Sequence, residues 1–370
     1  MKQIIDKKMC TGCSACVNVC PKKCIQVRED KYGFLCAEID EAKCIDCALC
    51  KKTCPVVNMA EPIGKAPEAL AVQNINKEDR ERASSGGIYE LIAKEIITMG
   101  GVVVACTLDN LEAKHVIVDK IEDINKTKGS KYVQSSLGYI FSEVKDRLKN
   151  QKILFVGTPC QVAGLKKVVG DAEDLLTLDL VCHGIPSQKM FDVFIQSKKE
   201  NIGEYYFKDK TKSWKNYDIK IVNDTKVYLE NNRENDYMRA YLGELISRDS
   251  CYSCKFRGFP RQGDITLGDF WGINYIDQAM DDDKGTSLLF VNSDKGKQIF
   301  ERIKKEIIYK KYDSKLAIEN NPAIVSDAIM NKERNIFLDN VNANNYSTLV
   351  SKYVKKTSML KRIIKKISRK

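Results

Sequence analysis

The stretches CTGCSACVNVCP, from Cys10 to Pro21, and CIDCALCKKTCP, from Cys44 to Pro55, carry one cysteine spacing twice, each closed by proline. Cys10, Cys13, Cys16 and Cys20 recur as Cys44, Cys47, Cys50 and Cys54 at an offset of 34 residues. A 34-residue period also suits helical repeat arrays, but two copies without a helical pattern do not make one. The CxxCxxCxxxCP spacing sets three thiolates on one tight loop around a cubane, and carries the fourth cysteine away to the other cluster. The doubled motif therefore predicts two [4Fe–4S] clusters with crossed ligation. Cys10, Cys13, Cys16 and Cys54 would hold one, and Cys20, Cys44, Cys47 and Cys50 the other. A pair of zinc knuckles is the competing reading.

The rest of the composition agrees with metal chemistry rather than disulfides. Fifteen cysteines face only two histidines, His115 and His183, so thiolate is the main ligand on offer. No targeting segment is read at MKQIIDKKMC, which lacks an apolar run behind its basic residues. The apolar runs VVVAC and ILFV have the length of core strands and fall short of a membrane span. A cytoplasmic protein is expected, where dense cysteine signals metal or redox work.

At 370 residues and 43% apolar, the chain is expected to form two or three domains. Its net charge of +11 is concentrated: nine Lys or Arg and no acid fall between Tyr346 and Lys370. The remainder is close to neutral, which argues against nucleic acid as a partner, as does the lack of interleaved aromatic and basic residues. The tail sets Tyr353, Leu360, Ile363, Ile364 and Ile367 on one helical stripe opposite lysines. Such a helix can make peripheral contact with an anionic membrane or dock on an acidic partner; a solvated helix is the plain alternative.

Residues 60–69, AEPIGKAPEA, read as a linker. Beyond it strands and helices alternate. SSGGIYELIAKEIITMGG predicts a helix with Ser85 as cap and Gly100 as stop. VVVACTL, HVIVDK, KILFVGTP and LLTLDLVCHG read as strands, interrupted by helices at YIFSEVKDRLKN, CQVAGLKKVV and SQKMFDVFIQSKKE. YDIKIVNDTKVYLEN predicts a β-hairpin. The fold class expected is α+β multidomain: a bacterial-type two-cluster ferredoxin domain followed by a mixed α/β module with helices packed on its sheet.

Four further cysteines stand at chemically suggestive places. Cys160 opens a helix after a strand, Cys182 follows another strand, and Cys251 and Cys254 form a CxxC. Strand ends of an α/β sheet gather at one edge, where ligands bind, so a third closed thiolate site is one reading; zinc or unliganded thiols are the others. Cys24, Cys36 and Cys106 read as small buried apolar residues. His183 is a candidate for proton transfer, against a structural, hydrogen-bonded role. Ser84, Ser85, Gly86 and Gly87 offer hydroxyls and free amides to an anion. Lys128, Gly129, Ser130 and Lys131 suit a pyrophosphate, and Tyr132 suits a ring. An ordinary cap and loop is the competing reading for both stretches, since neither is a standard nucleotide motif.

Taken in order, SSGG, KGSKYVQS, VGTPCQVAGL, VCHG, CYSCKF and GDITLGDFWG resemble the family formed by the beta subunits of coenzyme F420 hydrogenases and dehydrogenases. The resemblance divides the chain into a ferredoxin domain at 1–60, an N-terminal module part at 65–145, a C-terminal part at 146–310 and a helical region at 311–370. It implies FAD in the module and a third [4Fe–4S] cluster on Cys160, Cys182, Cys251 and Cys254. The two quoted loops, through Gln134, would lie around the flavin, and Asp269 near it as proton donor or substrate contact. Relatives exchange electrons with ferredoxin or another redox protein and with a small two-electron acceptor or donor. The expectation is an iron–sulfur flavoprotein oxidoreductase acting on a coenzyme F420-like or other substrate, with surface polysaccharide synthesis as one setting. The alternative is an electron-transfer subunit of a hydrogenase or formate dehydrogenase complex without its own substrate site.

Overall fold

The computed structural model describes residues 3–59, 64–170 and 172–355. The cysteine repeat is a backbone repeat as well. Gly12 and Asp46, 34 residues apart, both have positive φ (69° and 54°), and so do Ser14 and Ala48 (60° and 58°). Each pair of left-handed residues turns the loop sharply enough to open a short helix, Ala15–Val19 in one copy and Leu49–Thr53 in the other. Both helices end at the fourth cysteine of their motif, Cys20 or Cys54, where the chain becomes extended and carries that thiol away. Strands β1 (Ile25–Glu29) and β2 (Leu35–Ile39) pair antiparallel between the copies.

The module is built on an eight-stranded mixed sheet. Its strands are β3 (Ala69–Asn74), β4 (Val102–Asp109), β5 (Glu112–Val118), β6 (Ile153–Gly157), β7 (Leu175–Leu180), β11 (Ile265–Asp269), β12 (Ser287–Val291) and β13 (Ile307–Tyr312), in spatial order β13-β3-β12-β11-β7-β6-β4-β5. β4, β6, β7 and β11 run parallel, so the loops after β6, β7 and β11 emerge at one edge. Helices on both faces explain the unbroken apolar runs. Val103 and Leu154 meet helices Ile88–Thr98 and Asp294–Ile303 on one face. Val102, Val104, Ile153 and Phe155 meet Ile140–Arg147 and Pro159–Val169 on the other.

The predicted hairpin is present as β9 (Asp218–Asn223) and β10 (Val227–Asn231), extended by β8 (Ile202–Asp209) into a three-stranded sheet. It packs on an aromatic core that includes Phe191, Phe194, Tyr205, Phe207 and Tyr237. After β13, helices Ser314–Asn320, Arg334–Asn340 and Tyr346–Tyr353 follow.

Three details differ from expectation. The helix after SSGG is capped by Gly87 at φ 81°, not by the Ser85 side chain. Ala69, the last residue of the expected linker, begins the core strand β3. β13 differs from expectation as well, because IIYKKY at the sheet edge buries Ile307 alone and shows no alternating apolar pattern. Part of the linker and the basic tail from residue 356 lie outside the described residues.

Leu154 is fully buried in the middle of the sheet. Leu154→Ala is expected to lower unfolding free energy by about 2–5 kcal/mol, measurable by denaturant titration of the cluster-loaded chain.

Candidate metal and flavin site

Two recesses in the N-terminal domain sort the eight motif cysteines. The first is lined by Cys10, Cys13, Cys16 and Cys54. The second is lined by Cys20, Cys44, Cys47 and Cys50, with Cys24 beside them. Each recess therefore takes three thiols from one repeat and the fourth from the other, in the arrangement expected for crossed clusters. Among the described residues no three His, Cys, Asp or Glu side chains converge closely enough to hold a single metal ion. The thiols stand around recesses, not on a point, and a four-iron cluster fits that donor set.

The electrostatics of the two recesses differ. Burial pushes the Cys13 thiol up to about 12, and Cys16 is also raised, by burial first and then by Cys13, Cys10, Cys54 and Cys50. Such thiols release their protons on taking up metal, which couples loading to pH. Cys10 is held below the ordinary thiol range by a hydrogen bond from Cys36 and by the Arg248 guanidinium. Cys36 and Cys24 are buried as expected, but each touches a motif cysteine. Arg248 donates to Cys36 Sγ (3.4 Å), and Cys24 Sγ lies 3.4 Å from Cys20 Sγ. Cys47 is exposed at the outer rim of the second recess.

The sheet edge brings the other four thiols together. Cys160 stands in the first turn of Pro159–Val169, where Thr158 caps the helix through a reciprocal capping box with Gln161. Cys182 follows β7, Cys251 lies within the turn at Asp249–Ser253, and Cys254 closes it. Burial raises Cys160 most, followed by the fields of Cys182, Cys254 and Cys13. Cys251 is pushed to about 12 by burial, Cys182 and Cys254. The helix bearing Cys160 also packs on the first recess: a Cβ built on Gly164 would lie 3.0 Å from Cys13 Sγ. Each thiol of the series Cys47, Cys50, Cys16, Cys13 and Cys160 lies close enough to the next to affect its ionisation.

Next to this set aromatic and cationic side chains gather. Tyr132 packs against Tyr241 at 5.1 Å between ring centroids, and Tyr241 feels Cys182 and Cys251. His183 is half exposed, 3.6 Å from Glu244, and burial followed by Arg257 lowers its basicity. Asp269 accepts from Lys208 (2.7 Å) and Trp214 (3.1 Å), so both carboxylate oxygens are engaged and proton donation would require this pairing to open. Trp271 stacks on Trp214 at 4.9 Å.

The SSGG and KGSKY loops are in contact, since Ser130 N donates to Ser84 Oγ (2.8 Å). Gly86 packs its backbone on β3 and β12, and a Cβ there would lie 2.4 Å from Val72 O. Gly129 is open: a Cβ there would meet only Ser84 Oγ, at 3.8 Å. Ser85 Oγ is buried without a hydrogen-bond partner. Lys210, which sequence reading did not single out, donates to Ser85 O and Lys284 O. Burial, then Lys208 and Arg80, bring it down to about 7, and burial brings Lys131 down to about 8. Lys210, desolvated and hydrogen-bonded to the carbonyl beside that unsatisfied hydroxyl, fits an anionic ligand such as the pyrophosphate of FAD; Lys131, also desolvated, donates to Thr127 O and Lys128 O (2.8 Å each). Lys128 is instead paired with Glu90. Gln134 faces the ferredoxin domain, accepting from Leu35 N (3.4 Å) and donating to Thr11 O (3.4 Å).

Family models match three stretches of the chain: a 4Fe-4S dicluster domain at residues 9–58, and the N-terminal and C-terminal parts of the coenzyme F420 hydrogenase/dehydrogenase beta subunit at 70–140 and 150–315. The chain belongs to this family of beta subunits. Among curated relatives, an uncharacterized protein of Methanocaldococcus jannaschii is 27% identical over 47% of the chain and 57% of its own length. The coenzyme F420-dependent sulfite reductase of the same organism is 27% identical over 45% of the chain and 26% of its own length. An F(420)H(2) dehydrogenase component of Methanosarcina mazei is 24% identical over 49% of the chain and 55% of its own length. The matches thus span little more than half of two relatives and about a quarter of the third. A chain of the F420-reducing [NiFe] hydrogenase complex of Methanosarcina barkeri superimposes with a TM-score of 0.49 at 18% identity, covering 70% of this chain and 91% of its own. No helix among the described residues is long and apolar enough to cross a membrane.

Two predictions test this geometry. Cys54→Ser is expected to remove the cluster shared with Cys10, Cys13 and Cys16, about a third of the iron, while leaving the one held with Cys44, Cys47 and Cys50. Ligation by each repeat alone would instead disturb the latter, as iron analysis and electron paramagnetic resonance would show. Inorganic pyrophosphate is expected to bind more weakly as pH rises from about 6 to about 9, because Lys131 and Lys210 hold their charge only below their lowered pKa values. Calorimetry should show proton uptake on binding, and the pH dependence should flatten in Lys210→Met.

Proposed function

We propose that this chain is an iron–sulfur electron-transfer subunit that collects single electrons and delivers them in pairs through a bound flavin. The observation that carries the reading is the line of thiol groups from the exposed Cys47 to the set around Cys160, ending beside Tyr241 and the Tyr132 loop. Cys10, Cys13, Cys16 and Cys54 would hold one [4Fe–4S] cluster, Cys20, Cys44, Cys47 and Cys50 a second, and Cys160, Cys182, Cys251 and Cys254 a third. Ser85, Lys131 and Lys210 would hold the FAD phosphates. A flavin supplies the exchange between one-electron and two-electron chemistry.

The protein's own contribution is positioning. Thr158 and Gln161 fix the turn that presents Cys160. The packed tyrosines exclude water between the thiol set and the flavin loops. The fixed Asp269–Lys208 pair anchors Trp214 in the aromatic group. The names of the relatives favour a complex with a partner oxidoreductase that supplies or consumes the electron pair, coenzyme F420 being the small molecule they point to. The same Asp269, Lys208 and Trp271 group favours a second reading, in which the chain reduces a small planar substrate itself. Turnover by the isolated chain would support that second reading.

Anaerobically purified protein is expected to contain about 12 irons and one FAD per chain. Cys160→Ser should reduce iron to about eight and slow flavin reduction by a one-electron donor at least tenfold, followed by stopped-flow absorbance. Flavin-free protein that takes up no FAD would overturn the reading.

A further inference from the structure

Arg248 is buried, with 3% of its surface exposed, at the seam between the ferredoxin domain and the module. Its Nε donates to Cys10 O (3.1 Å), Nη1 to Leu35 O (2.9 Å), and Nη2 to Cys36 Sγ (3.4 Å). One face of the guanidinium lies over the Phe34 ring at 5.3 Å. Two residues along, Ser250 Oγ also donates to Cys10 O (3.2 Å). Among the described residues no carboxylate pairs with Arg248. The neighbouring Asp249 pairs with Arg334 instead (2.7 Å).

Carbonyl oxygens satisfy the N–H groups of a guanidinium but leave its full charge uncompensated. A buried unpaired charge is strongly destabilising, so buried charges are found with a counter-charge. The sulfurs within reach are Cys10 and Cys36, with Cys251 farther off; Cys36 keeps its proton as donor to Cys10, so the counter-charge falls to Cys10 and the cluster it would carry. Among the described residues the second recess has no cation in the equivalent place; Lys22, on its rim, is exposed to solvent, where its charge is screened.

We propose that Arg248 is the counter-cation of the cluster held by Cys10, Cys13, Cys16 and Cys54, and that it makes this cluster the preferred site for the first electron in the ferredoxin domain. Reduction by one electron adds one negative charge and forms or breaks no bond. A fixed positive charge at low dielectric favours the reduced state. Arg248 is thus a positioning residue with two effects. It directs an electron that enters at Cys47 inward, and it ties docking of the domain to the presence of the cluster. This inference rests on the cluster reading above.

The test is a redox titration of the full, anaerobically purified chain followed by electron paramagnetic resonance. The wave of the first cluster is identified as the one missing in Cys54→Ser. In R248Q that wave is expected to move to lower potential by about tenfold in equilibrium constant, about 59 mV for a one-electron couple, while the second cluster's wave stays in place. R248K, which keeps the charge, should retain most of the native potential. Should R248Q fail to load iron, Q134E decides. Gln134 Oε1 already lies 3.5 Å from Arg248 Nη1, so a carboxylate there neutralises the guanidinium without removing it. The same wave should fall. Full iron with an unmoved wave in R248Q, or in Q134E where R248Q fails to load, overturns the proposal. Absence of the first wave from the native protein would instead overturn the cluster assignment on which it rests.

Discussion

The constraint on which the rest depends is the sharing of each recess between two copies of one loop. A loop with two residues between successive cysteines can present three thiols to one side, because its left-handed residues fold it back on itself. It cannot supply the fourth without losing that geometry. The fourth cysteine therefore leaves along an extended turn and completes the other recess, so neither recess is finished by one repeat. Collecting the thiols also concentrates negative charge once metal replaces their protons, and the surroundings have to answer that charge.

Those surroundings come from the module. The loop at Cys10–Cys16 lies on helix Pro159–Val169 and on the segment at Arg248–Ser250, with Gly164 allowing close approach and Arg248 supplying hydrogen bonds and charge. The same helix carries Cys160 in its first turn and the same segment continues to Cys251. The elements that hold the first recess thus also build the third thiol set, which brings the two sites close without a dedicated linker. The parallel strands β6 and β7 then fix where Cys160 and Cys182 emerge. The chemistry gathers at one sheet edge because parallel strands deliver successive loops to the same side.

Much of this could be read from the chain. The crossed pairing of eight cysteines follows from a spacing whose loop geometry is local. The strands VVVAC, ILFV and LLTLDL declare themselves because burial on both faces requires unbroken apolar runs. Edge strand β13 was hidden, since an edge buries only part of its surface. Gln134 sits in a plausible flavin loop yet faces Thr11 and Leu35, because the direction of a loop side chain depends on what packs against it. Lys210, at the end of β8, gives no sign in sequence that it reaches the carbonyl of Ser85. Cys36 reads as an inert apolar residue, and its contact with Arg248 joins positions 212 residues apart.

The sequence by itself determined the thiol sets of the two ferredoxin recesses, the class of the sheet and the family, because each rests on short-range spacing or on periodicity of burial. Tertiary structure alone decided the succession of thiols from Cys47 to Cys160, the desolvated Lys210 beside Ser85 and the placing of Arg248. Those depend on distances between elements far apart in the chain and on how much water is excluded between them. Spacing along a chain encodes neither.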